Sequence, residues 1–336
     1  MPRQARLDIP GYLYHIIARG LDRRPIFYDE EDRKDFLSRV EKAIEQVPTQ
    51  IYAWALMPNH FHFLARAGER GLAPFMRRLI SGYANSFNRR HNRQGYLFQN
   101  RFKSILCEEG PYFLELVRYI HLNPVRAGMV QSVSDLKDYS WTGHPPLVGL
   151  KGPSWQNTKD VLALFSTKMD SALRLYEVFL QDGTALKPRE DLMGGGLRRS
   201  LGGSFSRGTA IQAYDSQVLG SGDFVEKVLN QAAKIDKELI QWRGTNLDTV
   251  ANRIAEKFKI KPDLIFKKGR QSGVPEAKAV LVYVGVTKLG ETQKRMSDMV
   301  CISPGGIGRA LVRGETLWHQ VGFENYLLVN KYTPSP

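Results

Sequence analysis

The chain has 336 residues, 48 Lys and Arg against 34 Asp and Glu, and a formal charge of +14. That length suits two domains, an apolar fraction of 42% is ordinary for a globular protein and argues against disorder throughout, and a basic excess of this size points to a polyanionic partner. Cys107 and Cys301 are too few for a zinc cluster and too distant in sequence for a disulfide framework, and no apolar run reaches spanning length or forms a leader; a soluble, cytoplasmic protein is expected.

Tyr12 to Ala18 reads as a strand, followed by a polar turn from Arg19 to Arg24 and then Pro25-Ile26-Phe27. Glu30 to Gln46 repeats apolar residues at helical spacing, with Phe36, Leu37, Val40 and Ile44 on one stripe and Asp29 as cap. Ile51, Tyr52, Trp54 and Leu56 make a second strand, Pro58-Asn59 a turn, and Phe61, Phe63 and Leu64 a third strand, which is the pattern of a hairpin. Gly71 to His91 is a helix that buries Leu72, Phe75, Met76, Leu79, Tyr83 and Phe87 and turns arginines outward. Lys103 to Glu108 is a fourth strand and Pro111 to Leu122 a third helix. This order is the split β-α-β arrangement of a ferredoxin-like antiparallel sheet with one added helix, an α+β fold. Within it the first and third strands are expected at the centre, and each crossover helix is expected to lead to a parallel neighbour.

The positive charge is local. From Arg66 to Lys103 there are nine basic residues (Arg66, Arg70, Arg77, Arg78, Arg89, Arg90, Arg93, Arg101, Lys103) and one acid, Glu69. Arginine forks match phosphate oxygens and stack on bases, which favours a nucleic acid over a generic basic surface. On the third strand a side-chain period of two puts His60 and His62 on one face and Phe61 and Phe63 on the other. Two imidazoles on a rigid strand are half of a divalent-metal site; two solvated or hydrogen-bonded histidines would give the same pattern. On the third helix Tyr119 and Asn123 are four apart and share a face, and Pro124 ends the helix. A tyrosine hydroxyl with an amide oxygen one turn on suits metal-assisted phosphoryl transfer, the hydroxyl as nucleophile and the amide as third ligand; a core tyrosine before an Asn-Pro turn is the plain alternative.

Four motifs in one order carry a resemblance: Arg19 to Phe27 (Arg-Gly-x-x-Arg-Arg-x-Ile-Phe), the His60-Phe61-His62 strand, Gln99-Asn100-Arg101-Phe102-Lys103, and the helix end Arg118-Tyr119-Ile120-His121-Leu122-Asn123-Pro124-Val125-Arg126-Ala127-Gly128. Together they resemble the single-tyrosine HUH transposases, and within them most of all the REP-associated tyrosine transposases. The resemblance runs from about Arg3 to Trp141 and more weakly to Gly183. It implies a metal-dependent single-strand DNA endonuclease and strand transferase, with His60 and His62 as metal ligands, Tyr119 as nucleophile and Asn123 where many relatives have glutamine. Leu21 departs from the pattern, which has a polar residue there, and puts one loop contact in doubt. Two histidines make Mn²⁺ at least as natural as Mg²⁺. The implied partner is single-stranded DNA with hairpin repeats; the sequence leaves a monomer and a homodimer open.

Ser140-Trp141 ends the resembling core, which takes residues 1–146, and Leu147 to Pro153 has the composition of a linker. Residues 147–185 are expected as a helical extension, with one helix from Val161 to Leu180, and residues 186–222, rich in Gly, Ser and Arg, as a flexible linker. From Phe224 the pattern is helical, giving a second domain over 223–320 and a tail over 321–336. Gln293 to Val300, Ile302-Ser303-Pro304-Gly305-Gly306 and a short helix from Ile307 to Arg313 suggest a helix-turn-helix that reads duplex DNA, similar to the DNA-binding domain of the bacterial replication initiator. The DNA-contacting candidates are Arg19, Arg77, Arg78, Arg101, Lys103, Arg309 and Arg313. The competing readings are a non-catalytic nucleic-acid-binding protein on the same sheet, a metal-dependent hydrolase of a small substrate, and, for the helical domain over 223–320, an oligomerisation domain.

Overall fold

In the computed structural model, which describes residues 6–186, 192, 215, 217–242, 246–269, 271–321 and 323, the elements of the first half follow the expected order: β1 (Leu13–Arg19), α1 (Glu30–Gln46), β2 (Thr49–Met57), β3 (His60–Ala67), α2 (Ala73–Arg90), β4 (Lys103–Cys107) and α3 (Glu109–His121). The sheet order is β2-β3-β1-β4, with a fifth strand at the edge, so β1 and β3 are central as expected. All neighbours among the first four strands are antiparallel. This corrects the expectation of parallel neighbours. Each crossover helix does return the chain in the same direction, but the central strand of the other half inserts between the two strands it links.

One face of the sheet carries Phe61 and Phe63 under α1 and α2, locked by ring contacts from Phe36 to Phe61, Phe63 and Tyr83. Asp29 caps α1, as expected, by accepting from the Asp32 amide at 3.0 Å. The other face carries Ala53, Ala55 and Leu64 under α3, and the two alanines leave room for the helix to lie close to β2. Thus α3 is the added helix, on the side that bears His60 and His62. It ends at His121 with Leu122 as its cap, and Pro124 then lies at the start of a separate helical turn, α4 (Asn123–Arg126), where its missing N–H costs nothing.

The segment expected as a single helix from Val161 to Leu180 is two, α5 (Thr158–Ala163) and α6 (Met169–Asp182). The break is local chemistry: the Ser166 hydroxyl accepts from the Lys168 amide at 3.1 Å, a turn that competes with the helix. Leu147, placed by composition in a linker, is fully buried in the core shared by α3, α5 and α6. The linker expectation over 186–222 also needs correction at its end. Val218–Leu219 form β5, parallel to β4, with the Leu106 and Glu108 amides each donating at 2.8 Å. Most of that segment lies outside the described residues, as does most of the tail over 321–336.

The chain divides into two compact units, Met1–Ala232 and Ala233–Pro336. The helix α7 (Gly222–Trp242) crosses that boundary, and α8 (Leu247–Lys257), α9 (Val274–Thr287), α10 (Gln293–Met299) and α11 (Pro304–Val321) follow. Helix α9 is buried along most of its length and forms the centre of the second core. The last helix is longer than the expected stretch from Ile307 to Arg313, because Pro304 is tolerated in a first helical turn and Leu311 and Trp318 continue its buried stripe. Close approach of α9 and α11 depends on Gly314: an added Cβ would collide with the Ala279 carbonyl oxygen and stand 2.8 Å from the Tyr283 Cβ. Gly314→Ala is therefore expected to destabilise the second unit by about 1–3 kcal/mol, measured by urea unfolding, while the first unit keeps its midpoint. Among the described residues no helix is long and apolar enough to cross a membrane.

Candidate active site

The site begins at the two-residue turn between β2 and β3. The segment after β1 wraps this turn: the Gly20 amide donates to the Asn59 carbonyl at 2.8 Å and the Ile26 amide to the Pro58 carbonyl at 2.8 Å. Gly20 has no room for a side chain, since a Cβ would strike the Arg24 carbonyl oxygen and stand 2.9 Å from Ile26. Asp22 and Arg23 adopt left-handed backbone (φ 53° and 60°), and the Arg23 carbonyl then accepts from the Asn59 side-chain amide at 2.9 Å. The stretch from Arg19 to Phe27 thus acts as a cradle for the hairpin. Leu21 serves it through its backbone, donating to the Leu97 carbonyl at 2.9 Å, which any residue could do.

That cradle fixes Asn59, and Asn59 fixes His60. With its nitrogen bound to Arg23, Asn59 turns its oxygen to the His60 Nδ1, 2.7 Å away. An amide oxygen only accepts, so His60 carries its proton on Nδ1 and has a bare lone pair on Nε2. Burial and the nearby Arg19 charge push His60 down to about 4, which keeps it neutral at physiological pH. The same logic applies to His62. His15 Nδ1 lies 2.9 Å from the Leu192 carbonyl oxygen and must donate to it; His15 Nε2 is then an acceptor for the His62 Nδ1–H, also at 2.9 Å. His62 is left with a bare Nε2. Both rings are held neutral, His15 at about 4 by burial and His62 well below its usual value by burial and then by its histidine neighbours.

Tyr119 of α3 faces this group. Its ring meets His15 and His62 edge-on, with centroids 5.7 and 5.9 Å away. The His60 and His62 rings are 5.0 Å apart. Burial raises the phenol pKa, while Arg126, whose guanidinium sits 5.7 Å from the ring centroid, and Arg19 pull it back down. The Asn123 amide nitrogen donates to the Tyr119 carbonyl at 2.8 Å, so its oxygen is the end left to meet a cation. The structure therefore gathers His60, His62 and Tyr119 on one face and holds Asn123 one turn beyond Tyr119. Tyr83, a rival nucleophile by residue type, is fully buried in the other layer with its hydroxyl donating to the Ile26 carbonyl at 2.5 Å.

The donor set suits a hard or borderline divalent ion. Two bare imidazole nitrogens and an amide oxygen fit Mn²⁺ or Mg²⁺ with positions left for phosphate and solvent. Among the described residues no group of three or more His, Cys, Asp or Glu could hold a metal by itself.

The basic candidates fall into separate places. Arg19 is opposite His60, and Lys103 opposite Ile17, which itself pairs with His62. The alternation of β1 and β4 puts Arg19 and Lys103 on the histidine face. Arg101 is exposed just before β4. Arg77 and Arg78 are on α2, in the layer across the sheet from the histidines. Arg309 is exposed on α11, whereas Arg313 is ion-paired with Glu276. The sequence reading missed two residues, His15 and Arg126. His15 was legible in part, since it stands two before Ile17 on a strand whose alternate residues share the face of the histidines; Arg126 lay inside a quoted motif but past the proline expected to end the third helix.

With this geometry in view, comparison with known proteins gives a family match within the first unit. A family model described as "Transposase IS200 like" matches residues 9–123, about a third of the chain. Over that span the chain is similar to the IS200-like transposases. The matched span runs from the approach to β1 through Asn123 and so takes in His15, His60, His62, Tyr119 and Asn123. One solved structure, described as a REP-associated tyrosine transposase bound to a REP hairpin, is similar at 20% identity and a TM-score of 0.37, over 47% of this chain and 92% of that one. No curated protein matches the chain.

Proposed function

We propose that residues 9–123 act as a transposase domain that cuts and rejoins single-stranded DNA through a covalent bond to Tyr119, with His60, His62 and Asn123 holding a divalent cation and hairpin-forming repeats as the target. The observation that carries this reading is the placement of the Tyr119 ring edge-on to His62 beside two imidazoles whose Nε2 lone pairs are both bare. A bound cation would supply positive charge to a non-bridging phosphate oxygen. Arg19 and Arg126 favour the phenolate over the phenol, and Arg19 and Lys103 offer charge to the strand on the same face of the sheet. Attack by the Tyr119 oxygen forms an O–P bond and breaks the bond from phosphorus to the 3′ oxygen. The products are a 5′-phosphotyrosine and, after the departing alkoxide takes a proton, a 3′-hydroxyl. Reversal by that or another 3′-hydroxyl rejoins strands without an external energy source.

The experiment for this reading is incubation of the full chain with labelled single-stranded hairpin DNA and Mn²⁺, reading a covalent protein–DNA band. A non-catalytic binding protein would give none. In calorimetry, His60→Ala combined with His62→Ala is expected to weaken Mn²⁺ binding at least about 100-fold, because each change removes one of few ligands. Unchanged affinity would move the cation elsewhere.

For the second unit the reading is a helix-turn-helix on duplex DNA. Its support is the joint between α10 and α11. The buried Lys278 donates to the carbonyls of Val300 (2.8 Å) and Lys267 (2.5 Å), Ser297 Oγ donates to the Ile302 carbonyl at 2.6 Å, and Cys301 takes left-handed backbone (φ 53°). A turn braced this way sets α11 rigidly, as reading a groove requires. Of the two candidate arginines, Arg309 is the better phosphate contact, since Arg313 is engaged by Glu276. Arg309→Ala is expected to weaken binding to duplex-flanked substrates and to lower the salt dependence by about one counterion, read by fluorescence anisotropy across a salt series. If truncation at residue 232 leaves that binding intact and abolishes self-association, the unit serves assembly instead.

A further inference from the structure

We infer that His15 is a positioning residue for the metal site: its hydrogen bonds to the Leu192 carbonyl and to His62 fix the tautomer and ring orientation of His62, so that the Nε2 of His62 keeps a bare lone pair for a ligand role. The inference rests on the cation-site reading proposed above and adds to it a residue with no direct part in ligation.

The geometry is directional. The relay starts at a carbonyl oxygen, which can only accept, and passes through two neutral imidazoles, each donating from Nδ1 and accepting or remaining bare at Nε2. His15 is fully buried and stacks on His62 with ring centroids 5.2 Å apart and planes inclined by 21°, so neither ring can turn without losing the contact. Its edge-on contact with Tyr119 adds a third wall. Without His15, the Nδ1–H of His62 would be a buried donor lacking its acceptor, a costly state that the ring escapes by moving the proton to Nε2. That atom is the one the cation needs. His60 has its own orienting partner in Asn59, so the two ligands are aligned by independent hydrogen bonds. The partner of His15 comes from Leu192, 177 residues away in sequence, which makes the order of the site depend on a residue well outside the matched span of the family.

The test uses full-length protein labelled with ¹⁵N at histidine, together with Mn²⁺ titration. In metal-free wild-type protein, NMR should show His62 protonated at Nδ1 and bare at Nε2. His15→Leu, which keeps an apolar filler, should shift the His62 proton to Nε2 and weaken Mn²⁺ binding about 10- to 100-fold. His15→Gln, whose side-chain oxygen can again accept from His62, should recover the affinity to within about threefold of wild type. A purely structural histidine would predict that the Leu and Gln variants behave alike. Wild-type His62 protonated at Nε2, or a folded His15→Leu protein with unchanged Mn²⁺ affinity, would overturn the inference. Wild-type protein that binds no Mn²⁺ through His60 and His62 would overturn the cation-site reading, and the ligand-positioning role of His15 with it. The two failures are distinct because one appears in wild type and the other only in the His15 variants.

Discussion

Tyr119→Phe is expected to reduce cleavage and covalent adduct formation at least about a thousandfold, to the limit of detection, while the protein folds and binds single-stranded DNA as before. The substitution takes away one oxygen. Among the described residues no protein hydrogen bond holds that hydroxyl, so the fold loses nothing by its removal. The phenyl ring keeps its edge-on contacts with His15 and His62 and its place under Arg126. Labelled hairpin DNA with Mn²⁺, followed by denaturing electrophoresis, reads the adduct; circular dichroism and a binding titration verify fold and affinity. Adduct formation by the Phe variant would place the nucleophile on another residue, with Tyr112 next in line since Tyr83 is buried across the sheet.

How much of this site could be read from the sequence depends on whether a feature is local or long-range. The hairpin, the facing of His60 and His62 and the four-residue spacing of Tyr119 and Asn123 all follow from strand and helix periods, and the structure places them accordingly. The four-strand order was legible for the same reason: a split β-α-β pattern leaves few topologies open. The role of Asn59 was not legible. Its orientation depends on Arg23 in an unusual backbone conformation, and nothing in the local sequence there announces a left-handed pair. The pairing of His15 with Leu192 is further out of reach, because 177 residues separate them and the intervening chain has to fold first. β5 was invisible for a related reason, as two residues cannot show a period. Composition misled where it was read as mobility. The stretch around Leu147 has Gly and Pro because it turns tightly, and it is nonetheless packed into the core under α6.

The buried histidines that align the site also make the first unit sensitive to acid. Burial holds His15, His60 and His144 at about 4 and His62 and His121 well below their usual value. Each folded-state pKa lies below the unfolded value of about 6.5. Above that pH both states are neutral and stability is complete. As the pH falls below it, the unfolded chain gains protons that the folded chain refuses, and stability is lost steadily down to about 4, where the folded rings begin to titrate too. A shift from 6.5 to about 4 corresponds to about 3 kcal/mol for one group, and several such groups together compare with the whole stability of a domain, about 5–15 kcal/mol. The second unit has one histidine, the exposed His319, and no such burden. Hydrogen exchange read by mass spectrometry between pH 7 and 4 should therefore show residues 13–182 losing protection near pH 5, while residues 247–321 keep it. His144→Gln retains an acceptor for the Tyr176 hydroxyl, which lies 3.0 Å from His144 Nδ1, and should lower the pH slope of first-unit stability by about one proton. Loss of both units together only below pH 4 would assign acid unfolding to carboxylates and remove the histidines from the account.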